Sequence, residues 1–214
     1  MPDFVLVGID TGIRNSLGVV FLKLSFDNFR VKSFFTESFR KKSFLKNAKE
    51  KRKFLGILIH EGLIELSPLF GSVYSFYTKD RKTVTKVILE SIKLVEESKE
   101  KVKIVVEDFL FFGKNGKKSS CFSGKTASWF TVAKIQNAIG YLVGFFTAND
   151  YDVKVVKPKT WKSISDPFYK KIGIEVIQKV FLSSIQLRPS EGDHILSATG
   201  ISLSCIPDLV IKNL

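Results

Sequence analysis

Phe4-Val5-Leu6-Val7-Gly8-Ile9-Asp10-Thr11-Gly12 is the stretch that decides the reading of this chain. Residues 4–9 are apolar without alternation, the mark of a strand buried on both faces. The run stops at an acid followed by turn chemistry. Lys103 to Val106 repeats the pattern and delivers Glu107-Asp108 at its end. Outward from the first run, Leu17 to Leu24 reads as a second strand and Arg30 to Thr36 as a third. Asp27-Asn28 between them is turn chemistry, which predicts a hairpin. Residues 37–80 are read as an insertion packed on the core, with a helix around 43–65 and a possible strand at Ser72 to Tyr77. Thr83 to Lys99 is an amphipathic helix with apolar Val84, Val87, Ile88, Ile92 and Val95. Gly113 to Gly124 is a loop rich in Gly, Ser and Lys. Thr126 to Thr147 reads as a long helix, Asp152 to Val156 as a short strand, and Phe168 to Ser184 and Gly192 to Cys205 as the last helices. The order is that of an α/β protein with a mixed sheet and helices packed on it.

Two buried strands that each end in an acid imply a site. The segment between them contains a helix, so a right-handed crossover makes the strands parallel. Parallel neighbours lie about 4.8 Å apart, and their terminal carboxylates then converge at one sheet edge. Such a pair can share two Mg²⁺ ions about 3.5–4 Å apart, the arrangement that stabilises attacking and leaving oxygens in phosphodiester hydrolysis. Asp193, at the start of the final helix, is a third candidate. Asp10 alone reads as a turn residue and Asp193 alone as a helix cap. Glu107 is harder to explain that way, because strands are depleted of Glu.

Charge points in the same direction. The chain has 214 residues, with 34 Lys+Arg against 21 Asp+Glu, a net charge of +13. Arg40 to Lys53 is net +7, Phe109 to Asn149 is net +5 without a single acid, and Lys154 to Lys171 is net +5. The remainder is therefore net −4. Clustered lysines suit a polyanion. Phe44, Phe54, Phe109, Phe111, Phe112, Phe122, Trp129 and Trp161 sit among them, and exposed rings stack on unpaired bases. In the loop after Glu107, Lys114, Lys117, Lys118 and Lys125 are expected to hold phosphates, with Phe111 or Phe112 as a wedge at a branch point. Lys159 and Lys162 are expected to add further contacts.

Other classes fit poorly. Two cysteines, Cys121 and Cys205, and two histidines, His60 and His194, nearly exclude a Cys/His zinc site by count. No secretory signal opens the chain, and the apolar run from Ala138 to Ala148 is too short for a membrane span. The expectation is a cytoplasmic protein with no membrane partner. Ser123 to Thr126 reads SGKT like the end of a P-loop, but Ser119 stands where its first Gly belongs. No nucleotide cofactor is therefore expected.

Six stretches together resemble RuvC-like Holliday junction resolvases. GIDTGIRNSLGVV (8–20) looks like that family's opening, and IVVEDFLFFGKN (104–115) like its second motif. KIQNAIGYLVGFF (134–146) resembles the following helix, whose Gly enters dimer packing. KPKTWKS (157–163) and KKIGIEVIQKVF (170–181) resemble its lysine-bearing segments, and RPSEGDHILSATGI (188–201) its closing acid-led helix. The resemblance covers roughly 1–36 and 81–205 and leaves 37–80 aside. It implies a single ribonuclease H-like domain over 1–214, with a five-stranded mixed sheet and helices on both faces. It also implies Mg²⁺ dependence, with two ions and with Mn²⁺ as a substitute, and a homodimer that cuts four-way DNA junctions.

By position, Asp10, Glu107 and Asp193 correspond to the family's metal ligands. Lys162 and either Lys170 or Lys171 correspond to its lysines near the scissile phosphate. Thr11 stands where Pro is usual. Ser190 stands where the family often has a fourth ligand, for which Glu191 or His194 is a substitute. The helix at 126–147 is the expected dimer face, because Ile135, Ile139, Leu142, Val143 and Phe146 exceed what one sheet covers. Flap and other branched-DNA nucleases share this chemistry. An actin- or hexokinase-like nucleotide-binding domain and a non-catalytic DNA-binding module are the alternatives from other classes.

Overall fold

Alternation along one strand sorts the molecule into two faces. The structure, a computed structural model, describes residues 3–11, 16–35, 45–76, 81–108, 129–181 and 189–214. β1 (Asp3–Thr11) is buried along almost its whole length. It pairs antiparallel with β2 (Ser16–Phe26), which pairs antiparallel with β3 (Ile64–Ser75). On its other side β1 pairs parallel with β4 (Val102–Glu107), and β4 pairs parallel with β5 (Asp152–Val156). The strand order β3-β2-β1-β4-β5 is the mixed sheet of a ribonuclease H-like fold.

Phe4 and Leu6 of β1 join Val20, Leu22 and Val105 on one face. Covering them are α1 (Asn28–Phe34), α2 (Ala48–His60), α5 (Pro158–Ser165), α6 (Phe168–Phe181), α7 (Pro189–Leu203) and α8 (Ile206–Lys212). Val5, Val7 and Ile9 point the other way, with Val19, Phe21, Ile104 and Val106. That face is covered by α3 (Arg81–Val95) and α4 (Trp129–Ala148). Ser190–Lys212 is long and apolar enough to cross a bilayer, but most of it is buried here as α7 and α8.

Two expectations change. The described part of Arg30 to Thr36 is not a strand: residues 28–34 form α1. The Asp27 carboxylate accepts from the Phe29 and Arg30 amides at 2.8 and 3.3 Å, so the polar turn starts a helix instead of a hairpin. The third strand lies within 37–80. β3 pairs with β2 from Phe26↔Ile64 to Ser16↔Ser75, so this stretch supplies a full edge of the sheet as well as α2.

The apolar surplus of α4 is also accounted for within the chain. Ile135, Ile139, Leu142 and Phe146 are buried beneath the sheet and α3, and Val143 is half-buried. The opposite face of α4 exposes Ala133, Gln136, Asn137, Gly140 and Gly144.

Candidate active site

The period-two alternation of a strand puts Asp10 on the same face as Gly8 and Leu6, and Glu107 on the same face as Val105. Ile9↔Val106 is the last paired position of β1 and β4. Asp10 and Glu107 follow it side by side, at the C-terminal ends of two parallel strands. Their side chains therefore point to the face carrying α5 and α7. Both are buried, at 6% and 9% exposure. The Thr11 hydroxyl donates to the Glu107 carbonyl at 3.4 Å, and the Asp108 amide donates to the Val156 carbonyl at 2.8 Å. The three strand ends are thereby held together.

α7 closes over the acids because two glycines let its backbone reach the sheet. A Cβ on Gly8 would overlap the Ala198 carbonyl oxygen, and one on Gly18 would stand 2.5 Å from the His194 carbonyl oxygen. Gly18 is the register partner of Asp10. This contact brings the His194 Nδ1 to 2.7 Å from the Asp10 Oδ2. Asp193 is one residue earlier, about 100° around the helix, and its side chain is exposed. Glu191 is half-buried in the first turn. Of the three candidates on α7, the structure brings His194 onto Asp10 and leaves Asp193 facing outward.

α5 supplies a residue whose role the sequence does not reveal. Composition puts Trp161 among the rings available for base stacking, yet it is 1% exposed, and its Nε1 donates to the Glu107 Oε1 at 2.8 Å. Its ring lies edge-on to Tyr169, with centroids 5.6 Å apart, and against Gly200, where a Cβ would stand 2.5 Å away. Phe54, another of those rings, is also fully buried. The available signal is position: α5 starts directly after β5, whose Val156 is the register partner of Glu107.

The lysines divide. Lys162 is exposed, with its Nζ 5.3 Å from the Trp161 ring centroid, and its charge acts on Glu107. Lys159 is exposed on the same helix. Lys170 and Lys171 are exposed on α6, and Lys171 lines a cleft with Ile59, Ile64, Leu66 and Phe168. Ile64 pairs with Phe26, at the opposite end of the sheet from Asp10. α6 runs against α7 in the reverse sense, Gly173 beside Leu196 and Ile177 beside Gly192, which carries its first turn away from the acids. Phe111, Phe112, Lys114, Lys117, Lys118 and Lys125 lie outside the described residues.

Burial and the adjacent Asp10 carboxylate push the Glu107 carboxyl from 4.5 up to about 8, against the opposing pull of the Trp161 hydrogen bond and the Lys162 charge. The hydrogen bond to Asp10 raises His194, with the Asp10, Asp193 and Glu191 charges adding to it. Two buried carboxylates held against each other fit a hard cation, which would relieve their repulsion. Among the described residues no three His, Cys, Asp or Glu side chains gather as a cage. A pair suits Mg²⁺, which keeps much of its water and takes substrate phosphate as ligand.

No protein-family model matches the sequence, and no curated protein does. Among solved structures, the chain is similar to RuvC of Thermus thermophilus in complex with a Holliday junction substrate. That match has 15% identity and a TM-score of 0.49, and covers 96% of this chain and 94% of the other. A second Thermus thermophilus RuvC structure matches at 16% identity and a TM-score of 0.46, covering 96% of this chain and 95% of the other. At these identities the likeness is one of fold.

Proposed function

We infer that this chain is a metal-dependent, structure-specific DNA endonuclease that resolves four-way junctions by paired phosphodiester hydrolysis. The observation that carries the reading is the pair Asp10 and Glu107, buried side by side at the ends of parallel strands, with Glu107 pushed up to about 8. The two carboxylates would hold the metal. Mg²⁺ or Mn²⁺ bound there would supply Lewis acidity, activating water and steadying the departing 3′ oxygen. His194 orients Asp10, and Trp161 fixes the rotamer of Glu107. Lys162, exposed on α5 with its charge acting on Glu107, would meet the phosphate; Asp193 and Glu191 add negative charge that acts on His194.

Paired cutting needs two sites related by a two-fold axis, which a homodimer supplies. With its apolar face covered internally, α4 would meet a partner through the exposed Gly140 and Gly144, where nothing lies within 4 Å of an added Cβ. The test is cleavage of four-way junctions, forks, flaps and linear duplex with Mg²⁺, beside Asp10→Asn and with the mass measured by light scattering. Asp10→Asn is expected to lower the rate by about 10²–10⁴-fold, the size of several kcal/mol of lost charge stabilisation, while DNA binding is retained. Wild-type rates in that variant would remove the acid pair from the mechanism. A monomer that cuts flaps better than junctions would replace the junction reading.

A further inference from the structure

No described residue of the largest charge cluster in the sequence, Arg40 to Lys53, takes part in the site above. Its described portion leads into and along α2. Phe54, Leu55 and Leu58 of that helix are buried, while Lys46, Lys49, Arg52 and Lys53 are exposed. Two charges here have structural work. Glu50 closes a capping box with Asn47, its Oε2 accepting from the Lys46 and Asn47 amides at 2.9 and 3.4 Å. Lys51 pairs with Asp208 at 2.6 Å. Lys46, Lys49, Arg52 and Lys53 have no carboxylate partner among the described residues.

Arg52 and Lys53 lie three and four residues after Lys49 and four and three before Gly56, so the four form one stripe along α2. At Gly56 the stripe meets Phe168, whose Cζ would stand 3.2 Å from an added Cβ, and the His60 ring is 6.1 Å from that of Phe168. Phe168 opens α6 just after α5 ends, and α5 packs against α2. The stripe therefore lies on the same side of the sheet as the acid pair. α5, packed against α2, exposes Lys159 and Lys162 and is preceded by the exposed Lys157. The exposed acids at this corner are Asp166 and Glu61.

We propose that α2 is a second phosphate-binding element, whose Lys49, Arg52 and Lys53 hold the backbone of a DNA arm extending from the acid pair across α5. Lys49 and Lys53 are about 6 Å apart along the helix axis, close to the rise of two nucleotides of one strand. A helix that lies on an anionic membrane needs a free apolar face, and that of α2 is spent in the core. The identity of the arm rests on the nuclease reading, but the surface is tested by binding alone.

The experiment compares Lys49→Ala/Arg52→Ala/Lys53→Ala in the full chain with Lys82→Ala/Lys86→Ala/Lys93→Ala. The second variant removes equal charge from exposed positions of α3, on the other face of the sheet. Fluorescence anisotropy of a labelled junction and a duplex is followed across salt. The α2 variant is expected to flatten the slope of log K against log salt by about 2–3, at about 0.9 per phosphate contact, with the α3 variant unmoved. Arg52→Gln alone is expected to flatten it by about 0.9, and this keeps the test decisive if the triple variant melts early. Equal slopes in all four proteins, or equal losses from α2 and α3, would make the stripe ordinary solvated surface. Loss of binding to phosphatidylserine vesicles with an unmoved DNA slope would assign it to lipid and overturn the proposal. A slope loss in a protein that cuts no branched DNA would sink the nuclease reading and leave the surface standing; cutting with an unmoved slope would do the reverse.

Discussion

Glu107 and Asp208 are carboxylates on the same side of the sheet, and their surroundings drive them in opposite directions. Glu107 is buried beside a second carboxylate, and its value rises to about 8. Burial also pushes Asp208 up, but the hydrogen bonds and charges of Lys154 and Lys51 outweigh it, and the net direction is downward. Asp208 meets Lys154 and Lys51 at 2.6 Å each, joining α8 to β5 and α2. One corner is electrostatically complete within the chain. The other sets two buried carboxyl groups side by side, and the opposing pull of Trp161 and Lys162 does not bring Glu107 back to its ordinary value. The difference is not one of residue type or of sheet face. It lies in which side chains the neighbouring elements bring: Lys154 of β5 and Lys51 of α2 to Asp208, a second carboxyl group from β1 to Glu107.

The largest effect expected from this contrast is at Glu107. Its folded value lies above 4.5, so between about pH 4.5 and 8 the folded state keeps a proton that the unfolded chain has released. Stability without metal is therefore expected to fall across that window and to be lowest above it. Glu107→Gln removes the slope. At pH 8.5 the variant is expected to exceed the wild type by on the order of a few kcal/mol, because each tenfold change in proton affinity is worth about 1.4 kcal/mol. In melting this is about 2–4 °C in Tm per kcal/mol. At pH 4.5 the two should coincide. Calorimetric melting with and without Mg²⁺ checks this: metal should raise the wild type most at alkaline pH and the variant little. A flat wild-type profile would mean that Glu107 is not held as a strained partner of Asp10.

An intermediate effect is expected at Trp161. Trp161→Phe keeps an aromatic ring against Tyr169 and Gly200 but removes the donor to Glu107. Hydrogen bonds to charged groups contribute about 1.5–3 kcal/mol, so Mg²⁺ binding measured by titration calorimetry should weaken about tenfold or more. Unchanged affinity with a lowered Tm would make the indole a packing residue only.

The smallest effect is expected at the complete corner. Asp208→Asn breaks two partly exposed pairs and should cost about 1 kcal/mol after solvent screening. Asp208 is lowered in the fold, so its contribution is present above 3.8 and is lost as pH falls through its folded value. Wild type and variant should converge in acid, and Mg²⁺ affinity should not change. A loss of metal affinity matching that of Trp161→Phe would erase the distinction between the two corners.

Much of this arrangement is legible in order along the chain. Unbroken apolar runs ending in Asp10 and Glu107 are a local pattern, and the crossover rule makes such strands parallel neighbours. Both strands and their pairing follow without tertiary information. Arg30 to Thr36 misleads because Val31, Phe34 and Phe35 suit a strand as well as a helix, and the decision is made by Asp27 capping the amides of Phe29 and Arg30. β3 is obscured because an edge strand is partly exposed, and Pro68, Gly71 and polar residues break its apolar pattern.

The sequence by itself determined the buried acid-ended strands, the α/β class and the clustering of positive charge, because each is written in residue type and period. Only the tertiary structure decided which of Glu191, Asp193 and His194 reaches Asp10. Three consecutive or near-consecutive residues on a helix point in different directions, and the rotation of α7 is set by its backbone pressing on Gly8 and Gly18. Tertiary structure also decided that Trp161 serves Glu107 and not a base, since 54 residues separate them in the chain and only the β4–β5 pairing carries α5 to that strand end.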